Sequence, residues 1–180
     1  MHPRPRGVPV ARASTDDVRF KRSRFVARFP KDYRYSPAHF WLCEEARHAG
    51  DEVSNGEGSP QRWRIGLTNF ATRMLGEIVE FDFEAQAGTE VTPGTVVGWV
   101  EGFKATADLF CIGKGTFVGG NPTALADPEL VCKDPYGDGW LYCIEGEPDT
   151  DVLTIDGYLE MLGETIDKME ERPWQGAEMP

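Results

Sequence analysis

No stretch of the chain approaches the ~20 consecutive apolar residues that a membrane-spanning helix needs, and no apolar signal-peptide core follows the first residues. The four cysteines, Cys43, Cys111, Cys132 and Cys143, form no C-x-x-C pair. That spacing argues against zinc-ribbon and dithiol redox motifs. With no secretory signal before them they read as reduced thiols, and Cys111 and Cys143, set among strand-forming residues, read as core fillers. Histidine is scarce as well. His2, His39 and His48 are scattered, and neither an H-E-x-x-H nor a G-x-S-x-G segment occurs, which leaves a zinc or serine hydrolase without its chemistry. Lysine nearly vanishes after residue 38, where only Lys104, Lys114, Lys133 and Lys168 remain.

The chain does contain 20 Gly and 13 Pro, a supply of turn formers that favours β structure over a helix bundle. Its 180 residues suit one domain plus extensions. The net charge of −11 is unevenly spread. Residues 1–38 hold ten Lys/Arg against three Asp, and residues 39–180 hold nine Lys/Arg against 27 Asp/Glu. An acidic body repels phosphates, so nucleic acid is not an expected partner; it suits docking on basic patches of other proteins. No membrane association is expected either.

Patterning predicts the elements. Residues 1–17 read as disordered, and residues 18–29 as a basic strand in which Phe20, Phe25, Val26 and Phe29 alternate loosely with Arg and Lys. Phe40-Trp41-Leu42 reads as a short strand, 44–60 as an acidic loop or insertion, and 62–67 as a strand. A short helix follows, capped by Thr68 or Asn69 and ended by Gly76. Val79, Phe81 and Phe83 alternate with Glu80 and Asp82, which predicts a strand with one buried face. Thr95–Val100 is β-branched and apolar. Gly102-Phe103-Lys104-Ala105 interrupts it, and a strand resumes over Thr106–Ile112. Thr116–Val118 and Trp140–Ile144 complete the strands, with a loop opening at Asn121-Pro122. Tyr158, Leu159, Leu162, Ile166 and Met169 form one helical stripe that is expected to pack on the β core, stopped by Pro173.

Lys104 thus stands at the tip of a hairpin, held toward water on rigid strands. A residue that must be modified and then visit other proteins needs that geometry. A solvated turn lysine without a role has the same geometry, so placement alone does not decide between them.

The surrounding text does more. Glu101-Gly102-Phe103-Lys104-Ala105 resembles the E-S-V-K-A lipoylation signature of the glycine cleavage H proteins, and Thr106-Ala107-Asp108-Leu109 resembles its continuation. Arg64–Ala71, Leu75–Val79, Asn121-Pro122 with Leu125, Asp127–Val131 and Asp134–Leu141 follow the same family's text in order, and Tyr35–Trp41 is similar to its N-terminal strand. The resemblance covers about residues 33–168. It implies a mainly β fold, a barrel-sandwich hybrid of the lipoyl-domain type with a short helix and a C-terminal helix. Residues 1–32 would be a basic, partly disordered N-terminal extension, 33–170 the carrier domain and 171–180 a tail. Lipoate would be joined to Lys104 by an amide, with Glu101, Ala105 and Asp108 read by the lipoate-attaching enzyme. The chain would be a non-catalytic carrier that shuttles an aminomethyl group between glycine decarboxylase, aminomethyltransferase and dihydrolipoyl dehydrogenase.

The match has departures. The usual P-S-H-E-W reads Pro37-Ala38-His39-Phe40-Trp41 here, the T-D segment reads Thr68-Asn69-Phe70, and Gly102-Phe103 replaces Ser-Val. His39, Phe40, Asn69, Phe70 and Phe103 are therefore the candidate lining of an arm cleft less polar than the family's, which would hold a cationic adduct less well. Carriage for another pathway, such as sulfur oxidation or lipoyl relay, and an unmodified interaction scaffold are the alternatives. Reduced cysteines favour a bacterial cytoplasmic protein. The Arg-rich start resembles a mitochondrial transit peptide only weakly, because Asp16 and Asp17 break the acid-poor pattern.

Overall fold

Alternating apolar residues generate two separate cores, and their separation organises the molecule. The computed structural model describes residues 16–46 and 60–172. In chain order the elements are β1 (Asp17–Arg22), β2 (Phe25–Pro30), β3 (Arg34–Tyr35), β4 (Phe40–Glu44), β5 (Arg62–Leu67), α1 (Asn69–Leu75), β6 (Ile78–Phe83), β7 (Glu90–Val91), β8 (Val96–Gly102), β9 (Thr106–Phe110), β10 (Gly113–Gly120), α2 (Pro122–Ala126), α3 (Leu130–Lys133), β11 (Tyr142–Pro148) and α4 (Ile155–Glu171). A six-stranded sheet runs β3-β4-β5-β11-β10-β7 and a three-stranded sheet runs β6-β8-β9. Between them lies the first core, with Leu42, Ile65, Val97, Leu109, Leu141 and Ile144 at 0 % exposure. This is the expected mainly β barrel-sandwich hybrid.

The second core is aromatic. Phe29, Tyr35, Trp41, Tyr136 and Tyr158 meet there with Leu162 and Ile166 of α4. The basic segment before residue 33 is a two-stranded hairpin, β1 against β2, whose inward residues Ala27 and Phe29 are buried in this cluster. Offset and edge-on ring pairs of this kind add to the burial they bring.

Several elements differ from the sequence expectation. The C-terminal stripe packs on β1 and β3 rather than on the barrel core. Its Met169, in the last turn of the helix, is left exposed. Asn121-Pro122 opens a helix instead of a loop: the Asn121 side chain accepts from the Thr123 amide, and proline takes the first helical position, where its missing N–H costs nothing. With α3 the described residues hold four helices rather than two. Val79 faces solvent at 51 % exposure. A register shift between Ile78 and Glu80 puts an extra residue against β8, so Ile78 and Phe81 turn inward in place of Val79 and Phe81. The strand expected at 140–144 begins at Tyr142 and runs to Pro148. The expected disorder of 1–15, most of the acidic insertion (47–59) and the stop at Pro173 lie outside the described residues.

Candidate functional site

The turn that carries Lys104 is built by backbone hydrogen bonds. Strands β8 and β9 pair up to Glu101 opposite Thr106, and Gly102 N–H donates to the Ala105 carbonyl at 2.9 Å, closing the turn. The turn is then tied to the end of α1. Phe103 N–H donates to Glu77 O and Lys104 N–H to Leu75 O, each at 2.9 Å. Helix α1 ends there because Gly76, at φ 78, adopts a conformation that only glycine enters readily. Thr68 caps its start by accepting from the Ala71 amide. A cap and a stop legible in the sequence thus place a helix end under the lysine.

The Lys104 side chain is exposed. Its ammonium donates to Arg73 O at 3.3 Å, and no carboxylate pairs with it among the described residues. An amine with no ion pair to break and one weak, solvent-exposed hydrogen bond is available for acylation. Phe103 beside it is 77 % exposed and walls a shallow groove of about 400 Å³ with Glu77, Val79, Asp127 and Pro128.

Glu101, Ala105 and Asp108 are all exposed around this turn. Glu101 lies opposite Glu80 and Asp108 opposite Trp99, which in turn faces Asp82. The outward face of the three-stranded sheet therefore carries Glu80, Asp82, Glu101 and Asp108, with no basic residue on the three strands.

The five candidate cleft residues do not share one surface. Phe103 lies on the lysine turn. Phe40 is 3 % exposed and belongs to the barrel core. His39, Asn69 and Phe70 do come together, under the N-terminal hairpin: Phe25 packs edge-on against Phe70 with ring centres 5.7 Å apart, and the Asn69 amide lies 3.4 Å from Arg28 O. Phe70 is left 7 % exposed. The sequence reading missed this cover because nothing in residues 18–29 says where a hairpin will land.

His39 holds a left-handed backbone conformation, φ 67, at the end of a Ser36-Pro37-Ala38 turn. Its Nδ1 lies 2.9 Å from the Tyr158 hydroxyl, which donates to Thr68 Oγ1 at 3.2 Å. Burial pushes the imidazole down to about 4. The unfolded chain protonates near 6.5, so it takes up the proton first as pH falls. Stability is then full above pH 6.5 and is lost progressively toward pH 4, roughly 3.5 kcal/mol in all for the drop from 6.5 to about 4 at ~1.4 kcal/mol per unit. Thermal unfolding of the wild type and a His39→Gln variant at pH 7 and pH 4.5 checks this. The variant is expected to lose less stability on acidification; equal losses would exonerate His39.

Fold and turn together define the class: a barrel-sandwich hybrid presenting one lysine on a tight hairpin braced by a helix end. The glycine cleavage H-protein family model matches residues 53–164. The chain is 38 % identical over 133 residues to the glycine cleavage system H protein of Thermobifida fusca, spanning 73 % of this chain and 94 % of that one. It is 33 % identical over 136 residues to the probable glycine cleavage system H protein of Haloarcula marismortui, 74 % of this chain and 95 % of that one. The crystal structure of a glycine cleavage system H protein from Mycobacterium marinum superposes with a TM-score of 0.61 at 30 % identity, covering 75 % of this chain and 99 % of that one. The chain belongs to the glycine cleavage H-protein family.

Proposed function

We propose that this chain is the lipoyl carrier of a glycine cleavage system, with lipoate in amide linkage on Lys104. The observation that carries the reading is the lysine turn itself, an exposed amine with no ion pair among the described residues, on a tip fixed by three backbone hydrogen bonds. Lipoate, when bound, supplies a disulfide that opens to accept an aminomethyl group. The chain's own residues hold and present it. Glu101, Ala105 and Asp108 mark the lysine for the lipoate-attaching enzyme. The partners are glycine decarboxylase, aminomethyltransferase and dihydrolipoyl dehydrogenase, and the chain contributes no catalytic residue. Residues 33–170 form the carrier domain, 1–32 the extension and 171–180 the tail, in a bacterial cytoplasmic setting.

The lining around His39 supports a second reading. Phe70, packed on His39 and buried under Phe25, closes this group off from a cationic cargo that polar groups would hold, which fits carriage for another pathway. Glycine-dependent release of carbon dioxide, reconstituted with the host's decarboxylase, separates the two. Wild type is expected to support release and Lys104→Arg to reduce it to background. A lipoylated wild type that supports none would leave a carrier of another cargo. An unmodified chain would leave the interaction scaffold.

A further inference from the structure

The hairpin of β1 and β2 presents an outward face at odds with its own stability. Arg19 lies directly opposite Arg28 across the strands, and like charges so placed repel. Lys21 points to the same face, two residues from Arg19, and Arg24 follows in the turn. All four are exposed. None makes an ion pair among the described residues, although neighbouring Arg22 pairs with Asp167. A cationic face maintained against its own repulsion is built to meet something negative.

Its position says what. The Arg73 guanidinium donates to Val26 O at 2.6 Å and sits 4.6 Å from the centre of the Phe25 ring, while the carbonyl of the same residue accepts from Lys104. One residue thus connects the hairpin to the lysine. On its other flank Lys104 continues into the sheet face of Glu80, Asp82, Glu101 and Asp108, where Glu80 and Glu101 again oppose each other directly. Lys104 is set between a cationic face and an anionic one.

We propose that these two faces form one bipolar docking surface for the enzyme that acylates Lys104. This rests on the reading of Lys104 as the lipoyl site. On that enzyme an acidic patch would meet the hairpin and a basic patch the sheet, flanking the opening to its active site. A downstream partner can be reached through the loaded arm, whereas the acylating enzyme must bring its reactive carbonyl to Nζ itself. A surface touching Lys104 constrains that enzyme most. Two faces of opposite sign fix orientation as well as attraction, because a reversed approach sets like against like. A nucleic acid or an anionic bilayer fits less well, since either extends beyond the hairpin onto a body with 27 acidic and nine basic residues.

The test uses the full chain and the lipoate-attaching enzyme of the same host, with attachment followed by intact mass. Arg19→Gln, Lys21→Gln, Arg24→Gln and Arg28→Gln combined are expected to lower kcat/KM roughly tenfold or more at low salt, through KM, with kcat within about twofold. The deficit should shrink as salt rises. A variant with Arg19→Lys, Arg24→Lys and Arg28→Lys keeps the charge and should match wild type. The glutamine variant should melt no lower than wild type, since it relieves the Arg19–Arg28 opposition. Three results overturn the proposal: a glutamine variant within twofold of wild type at low salt, a lysine variant as slow as the glutamine one, or charge-dependent retention of wild type on phosphatidylglycerol vesicles or poly-U RNA at physiological salt with unchanged attachment kinetics. A wild type that accepts no lipoyl group overturns the carrier reading and this proposal with it. A lipoylated wild type with unaffected variants overturns this proposal alone.

Discussion

Gly102→Ala should slow lipoyl attachment at Lys104 by about 100-fold and cost about 2–3 kcal/mol of stability. An added Cβ at position 102 would collide with the backbone carbonyl oxygen of Leu75, lie 2.8 Å from its carbon and 3.1 Å from the Leu75 Cβ. None of these atoms can step aside. Leu75 O is also the acceptor for Lys104 N–H, so the clash pushes apart the two pieces whose contact positions the lysine. Overpacking of this kind typically costs ~1–3 kcal/mol, and a displacement of about 1 Å at a reacting atom can cost ~100-fold in rate. Gly157→Ala is the control. Its Cβ would meet Leu153 at 3.6 Å, an ordinary contact, and a helical glycine replaced by alanine gains up to ~1 kcal/mol. Denaturant unfolding with intact-mass time courses checks both. Unimpaired attachment in Gly102→Ala would mean that the brace between turn and helix is dispensable.

Phe29→Ala is expected to be the most destabilising single truncation in the hairpin, at about 3–5 kcal/mol. Phe29 has 0 % exposure. Its ring meets Phe20, Tyr35, Tyr136 and Tyr158 with centres 5.7–6.3 Å apart. It is the point where hairpin, six-stranded sheet and α4 converge, so its loss leaves a cavity that three elements must close. The barrel core around Leu42 and Val97 is separate. Amide exchange should therefore accelerate over β1, β2 and α4 well before it does in the barrel strands. A loss below ~1 kcal/mol, or uniform exchange throughout, would show that the hairpin is not integral to the second core.

Where the pattern was local, the sequence was legible. The Thr68 cap, the Gly76 stop and the lysine turn depend on neighbours a few residues away, and each lies where expected. Alternation gave most strands of the barrel. What failed depended on distant partners. The stripe Tyr158-Leu162-Ile166 announced a buried face but not that a hairpin far earlier in the chain would cover it. Val79 follows perfect alternation, yet one bulge against β8 reverses its side. The helix at Pro122 was hidden because Asn-Pro signals a helix start and a turn alike. At the site, the residues grouped as a cleft lie in three places, since facing depends on packing that spacing does not record. The opposition of Arg19 to Arg28 exists only once the register is known.

The central claim is that Lys104 carries the arm, and intact mass tests it most directly. The chain should be purified from its native host beside a Lys104→Arg variant made in the same cells. The account predicts a lipoyl-sized increment on wild type that is absent from the variant. An unmodified wild type, in a host whose other lipoyl proteins are modified, would contradict it.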